Sequence, residues 1–387
     1  MKEQYAQYFS LEDIRYARDK YLASFEGLDF TEYIRREKIS RIRKIPKSLY
    51  DDSDIVFSDF DIHPNDLDFD LQFVENSDQL KQFNELLEVT SSQLVEWSVP
   101  GRSMKILVTE RHTGKVFGFI RLGSPMINMK PRNTLLGTND YTQNPGLREF
   151  NDASYLGQII VPVQPAGFNY AAGKLLALMC VSHEVRERFN SKYDGMNALL
   201  FETTSLYGSI KSHSQYDGLK PFIRKGGQSE STFMPALQKK YFKPLRQFFE
   251  DKLGEKLIRD DQLASRKMKM QARMESIIRN TLVEYGYEEE ANEFSNTVKN
   301  IQQNMTTQKN YYYSTFGFAN SIDYLMGRSD SLKKADNYDR FYLENIIEWW
   351  RNKAKNRYEK LQSEERIRHD LELWTNTYTQ ESVDIVR

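Results

Sequence analysis

The sequence predicts an α+β fold: a mixed sheet flanked by helices, with an N-terminal helical arm and a helical C-terminal region. Three observations predict it. Short β-rich runs alternate with helical ones in the middle of the chain. Charged and apolar residues recur at helical spacing on either side. Across 387 residues, 39% hydrophobic and 28% charged side chains give a globular balance with core enough for two or three domains. The expected boundaries are 1–70 for the arm and an acidic linker, 71–235 for the α/β domain, and 236–387 for the helical region.

Residues 10–50 read as helix, opened by Ser10 with Glu12 and Asp13 and carrying Ile14, Tyr21, Leu22 and Phe25 at helical spacing. A basic run of Arg35, Arg36, Lys38, Arg41, Arg43, Lys44 and Lys47 follows, then an acidic stretch from Asp51 to Asp70. Two readings stand: a solvated helix with a neutralising linker, or a basic arm for nucleic acid. LQFVENSDQLKQFNELLEV reads as a strand and a helix with Phe83, Leu86 and Leu87 on its apolar stripe. MKILVTERHTGKVFGFIRL is a hairpin turning at Thr113-Gly114. SYLGQIIVPVQP is a further strand, continuous enough in Ile159, Ile160 and Val161 to be central. NYAAGKLLALMCVSHEVRERF reads as one helix, NALLFETTSL as a buried strand, and KPFIRKGG as the last strand. From residue 236 the pattern is helical throughout, with a break at GRSDSLKKADNYD before the amphipathic stretch that runs to Trp374.

Composition excludes several classes. With 54 basic and 55 acidic side chains the whole chain does not announce a polyanion partner, so any such site must come from local asymmetry. Cys180 is the lone cysteine, which rules out internal disulfides and cysteine-rich zinc modules. The charged N-terminus lacks the apolar core of a signal peptide, and no stretch approaches the roughly 18 apolar residues of a membrane span. A cytoplasmic protein is expected, in the host cytoplasm if the gene is a phage's. The five histidines have no metal-ligand spacing, and His183 beside Glu184 reads as solvated; no metal is expected.

Four stretches carry a resemblance: GKVFGFIRLGSPMINMKPRN (114–133), YLGQIIVPVQP (155–165), ALLFETTSLYGS (198–209) and GLKPFIRKGG (218–227). In these words the sequence resembles the DruA-type domain of Druantia anti-phage systems, which also occurs in phage and mobile-element proteins. The order of strands and helices is similar to a GNAT-like acyltransferase core. That resemblance implies three things to look for.

One is a backbone cradle for the pyrophosphate of acyl-CoA at a turn opening a helix. QPAGFNYAAGKLL fits the place, with Val161, Val163, Gln164, Gly167, Gly173 and Lys174 as cofactor-binding candidates. The glycine spacing is stretched, and a purely structural turn is the other reading. The second is a general base, for which Glu202 stands at the end of a buried run; its other reading is an ion pair with Arg132 or Arg121. The third is a donor for the leaving thiolate, from Tyr216 or Tyr207, with His213 nearby.

Basic and aromatic residues interleave in two places, as phosphate contact with base stacking requires. Arg224, Lys225, Lys239, Lys240, Tyr241, Phe242, Lys243 and Arg246 follow the last strand, and Trp349, Trp350, Arg351, Lys353, Lys355, Arg357 and Tyr358 share one helix. In the second group the aromatics can instead pack inward while the cations snorkel. Arg132, Arg224, Lys225, Lys239 and Lys240 are the nucleic-acid candidates. Two functions remain open: an acyl-CoA-dependent N-acyltransferase acting on a nucleic-acid base or a protein amine, or a non-catalytic nucleic-acid-binding module on the same fold. A phage structural protein comes third. The expected partners are DNA or RNA and a second copy through the C-terminal helices, with no membrane.

Overall fold

A computed structural model describes residues 4–45, 54–91, 101–138, 146–205, 214–231, 235–258, 266–304 and 307–375. Helices α1 (Leu11–Ala23) and α2 (Phe30–Ile42) precede strand β1 (Phe69–Phe73) and α3 (Ser77–Thr90). The hairpin β2 (Ser103–Glu110) and β3 (Val116–Gly123) leads to α4 (Lys130–Leu136) and α5 (Leu147–Asp152). Then come β4 (Ser154–Pro162), α6 (Ala166–Asn169), α7 (Ala172–Met179), α8 (His183–Lys192), β5 (Leu200–Ser205) and β6 (Arg224–Ser231). Helices α9 (Lys239–Leu253), α10 (Arg266–Glu284) and α11 (Glu288–Asn304) follow. The last elements are β7 (Thr307–Ser314), α12 (Ser321–Leu325) and α13 (Leu343–Ser363).

Contacts divide the chain into two compact units that do not follow the boundaries expected at residues 70 and 235. One joins residues 1–34 to 230–307; the other joins 35–229 to 308–387. In the first, α1, α9, α10 and α11 bury Phe9, Tyr21, Phe249, Ile277, Ile278 and Phe294 in one cluster. A capping box starts α1: the Ser10 hydroxyl accepts from the Asp13 N–H, and the Asp13 carboxylate accepts from the Ser10 N–H.

The second unit holds a seven-stranded sheet ordered β1-β2-β3-β4-β5-β7-β6. Strands β1 to β4 pair antiparallel, β4 and β5 run parallel, and β5 and β7 are antiparallel. Alternation sorts the side chains: Ile106, Val108, Ile120, Leu122, Tyr155 and Phe201 pack with the α7 and α13 residues Leu176 and Trp350. Leu107, Phe119 and Ile159 pack with Phe83, Leu86 and Leu87 of α3.

Several expectations are corrected. The C-terminal region is not helical throughout, and KPFIRKGG is not the last strand, because β7 follows it in the chain and lies between β5 and β6. Its run Tyr311-Tyr312-Tyr313 lacks a period-two pattern because interior strands are covered on both faces. The single helix expected over the NYAAGKLLALMCVSHEVRERF stretch is broken after Cys180. Ser182 caps a new one by accepting from the Val185 N–H. His183 is not solvated: it is 1% exposed and its ring stacks on Tyr338 at 4.0 Å. Lys38, placed in a solvated or nucleic-acid-binding run, is wholly buried against the Glu88 carboxylate at 2.9 Å. The segment after Ser363 leaves the helix, and its Glu372 and Trp374 N–H groups donate to the carbonyls of Gln164 and Val89.

Candidate functional site

Strands β4 and β5 pair only from Ser154↔Leu200 to Gly157↔Thr203 and then part, while β4 continues to Pro162. The chain itself fills the parting. The Gln215 amide donates to the Ile160 carbonyl at 3.1 Å, and the Thr203 hydroxyl donates to the Gly157 carbonyl at 3.0 Å. Lys174, in the first turn of α7, donates its ammonium to the carbonyls of Gln215 (3.2 Å) and Asp217. Tyr312 donates to Asp217 at 2.8 Å, and the Ser214 N–H donates to the other oxygen at 2.8 Å. Burial raises the Asp217 carboxyl, but these bonds and the charges of Lys225 and Lys174 outweigh it and hold the group below its ordinary value. Burial lowers the Lys174 ammonium; Asp217 opposes this, and Lys353 and Arg357 reinforce it.

The cofactor-binding candidates lie at one corner of this arrangement. Gly167, Phe168, Asn169, Tyr170 and Lys174 all donate their backbone N–H groups to carbonyls of the chain: Val163, Pro165, Pro165, Ala166 and Ala171 respectively. A pyrophosphate cradle depends on free N–H groups. At Gly173 a side chain would collide with the Gln215 amide, and at Gly167 with the Gln164 amide and Pro162. Both glycines therefore permit close packing of the chain on itself. Val163 is buried in the core under α3, while Val161 and Gln164 are half-buried.

Glu202 is fully buried on β5. Its carboxylate accepts from Arg132 at 3.2 Å and from the Tyr311 hydroxyl at 2.9 Å. Arg132 also donates to the carbonyls of Met126 (2.8 Å) and Ile127 (3.0 Å), and its guanidinium lies 4.3 Å from the Phe150 ring centre. Of the two readings for Glu202, this geometry is that of the ion pair. Burial raises its carboxyl pKa, with Arg132 and Tyr311 acting in the opposite direction. Arg132 has no exposed surface, so it cannot meet a nucleic acid; this corrects its place among those contacts.

Tyr216 is buried against Tyr312 at 5.1 Å, and burial pushes its hydroxyl up to about 12. Tyr216 and Glu202 belong to different environments, the first beside the Asp217 network and the second in the Arg132–Tyr311 network. His213 and Tyr207 lie outside the described residues.

Arg224 and Lys225 are exposed on the edge strand β6, and Lys239, Lys240 and Lys243 are exposed at the start of α9. In α13, Trp350 and Tyr358 pack inward. Sequence reasoning missed Phe168, Asn169, Arg366 and Arg368. The Asn169 side chain joins the segment after α13 to the turn before α7: its amide donates to the Arg368 carbonyl at 2.7 Å and accepts from the Arg368 N–H at 3.1 Å. No local signal announces that pairing, because its partners lie 199 residues apart. Among the described residues, no group of three or more histidine, cysteine, aspartate or glutamate side chains could hold a metal ion. No helix among them is long and apolar enough to cross a membrane.

Fold and site together define a mixed-sheet α+β protein whose central strand parting is bridged by its own chain. Residues 24–216 match the family model described as Druantia protein DruA. Through that region the chain belongs to the DruA family. It is similar to the Druantia protein DruA of Escherichia coli (strain UMEA 4076-1), 30% identical over 102 residues. That match covers 25% of this chain and 24% of the relative, so most of the relative has no counterpart in the alignment. No solved structure matches the chain.

Proposed function

We propose that this protein is a non-catalytic, nucleic-acid-binding DruA-type module on a GNAT-like frame, acting in a phage or phage-defence setting. The strand order, with β4 and β5 parallel and β7 between β5 and β6, supports the GNAT-like reading of the frame. The engaged N–H groups of Gly167, Phe168, Asn169, Tyr170 and Lys174, and the Gln215 bridge beside them, weigh against an acyl-CoA site.

The amino end of α9 carries the nucleic-acid reading. Lys239, Lys240 and Lys243 are exposed there, and the first turn has no acidic residue. None of the three is ion-paired among the described residues. The positive end of the helix dipole adds to their repulsion, which is the reverse of a stabilising arrangement. Lys267 approaches the same place, its ammonium 5.3 Å from the Phe242 ring centre, and Lys240 lies 4.9 Å from that of Tyr241. A polyanion relieves such crowding and releases counterions as it binds.

Thermal stability measured against single- and double-stranded DNA and against acetyl-CoA tests the reading, since a ligand bound only by the folded state raises the melting temperature. The expected result is stabilisation by DNA that falls steeply with salt and weakens in Lys239→Ala/Lys240→Ala/Lys243→Ala. Stabilisation by acetyl-CoA without any by DNA would overturn it in favour of the N-acyltransferase.

A further inference from the structure

A second basic surface lies within the sheet unit, built by tertiary contacts. The Arg357 guanidinium lies 5.0 Å and that of Arg368 4.0 Å from the centre of the Phe168 ring. Arg357 Nε donates to the Phe168 carbonyl, and no carboxylate among the described residues pairs with that guanidinium. Arg368 is delivered by its backbone, held by the wholly buried Asn169 through two hydrogen bonds, while the Glu372 N–H donates to the Gln164 carbonyl at 3.1 Å. Burial lowers the Arg357 pKa first, and the charges of Arg366 and Arg368 act in the same direction. Lys353 and Arg357 act in the same way on Lys174.

The acids nearby answer only part of this charge. Arg366 meets Glu364 at 2.6 Å and Arg368 meets Glu372 at 3.8 Å, both with exposed guanidiniums where such pairs are worth little. Lys174 is satisfied by carbonyls and by the field of Asp217. Like charges have therefore been gathered around one aromatic ring, on a buried anchor, without a matching set of carboxylates. Pre-positioned arginines of this kind suit phosphate oxygens, which accept in the geometry the guanidinium fork offers.

We infer that Arg357 and Arg368 around Phe168, with Arg366 and Lys353 beside them, form a phosphate-recognition surface for a nucleic-acid strand. This rests on the proposed function and gives that function a binding surface which includes none of the basic residues of α9 or β6. The strand's phosphates meet the exposed guanidinium groups of Arg366 and Arg368, and Lys353 extends the track along α13.

The test measures binding of a labelled single-stranded oligonucleotide to the full chain across a salt series. Variants are Arg366→Gln/Arg368→Gln, whose side chains are exposed, and separately Arg357→Gln, with urea midpoints as the control for folding. The exposed pair decides the matter if Arg357→Gln loosens α13. Weakened binding in the pair, with a log–log salt slope shallower by about 0.7 for each phosphate no longer neutralised, supports the surface. Unchanged binding and slope in the pair, alongside weakened binding in the Lys239/Lys240/Lys243 variant, overturns it and leaves the proposed function standing. Failure of the unaltered protein to bind the oligonucleotide at any salt overturns both. A parallel arm with coenzyme A separates the phosphate sources: stabilisation by it alone, cancelled in Arg357→Gln, overturns the assignment to a strand in favour of a free nucleotide.

Discussion

Glu202 and Arg132 form a fully buried ion pair at 3.2 Å. A buried ion pair gains its energy only while both partners remain, since each charge alone has lost its water without compensation. Glu202→Gln and Arg132→Met are each expected to destabilise the fold by about 3–5 kcal/mol, and the double variant by much less than their sum. Urea denaturation of the four proteins measures this; additive losses would show that the two side chains do not act as a pair. Lys105 makes a second prediction. Burial, then the charge of Arg121, lowers its ammonium to about 8. Below that pH the folded state bears the cost of a charged buried lysine. Above the ordinary lysine value neither state is charged, so the cost is gone. The stability difference between the unaltered protein and Lys105→Met should therefore shift in favour of lysine as pH rises from about 8 to about 10.4. Melting temperatures over that range check the sign.

Among the elements, α7 is the one whose first turn decides between a cofactor site and a packed corner. Gly173 leaves room for the Gln215 amide, and Gln215 in turn bonds the β4 carbonyl that β5 has left unpaired. Gly173→Leu is expected to displace the 214–217 segment and cost about 1–3 kcal/mol through overpacking and the broken hydrogen bonds. A shift in urea midpoint measures it; an unaffected midpoint would mean that the segment is not held there. Strand β7 links both faces of the sheet to the site. Tyr311 reaches Glu202, while its neighbour Tyr312 reaches Asp217, as successive side chains on a strand must point to opposite faces. Helix α8 was legible in the sequence only as part of a longer helix, although Ser182, the residue that caps it, was in plain view.

Across the whole molecule, each compact unit is assembled from stretches far apart in the chain. A chain limited to residues 71–235 would lack β7, leaving β5 and β6 without the strand between them, and would lose Trp350 and Tyr358 from the core. It is expected to show no cooperative unfolding transition; a sharp one in near-ultraviolet circular dichroism would contradict the arrangement. The hairpin, the strands β1, β4 and β5, helix α3 and the long α13 were all legible from the sequence, because each is written in the period of neighbouring residues. So was the basic end of α9. Two things were decided only by tertiary structure. One is the insertion of β7, whose Tyr311 meets Glu202 across 109 residues. The other is the gathering of Arg357 and Arg368 onto Phe168. Periodicity reports which face of an element is apolar, but it carries no information about which distant segment will cover that face. That choice is made by shape, hydrogen-bond partners and charge once the chain has closed on itself.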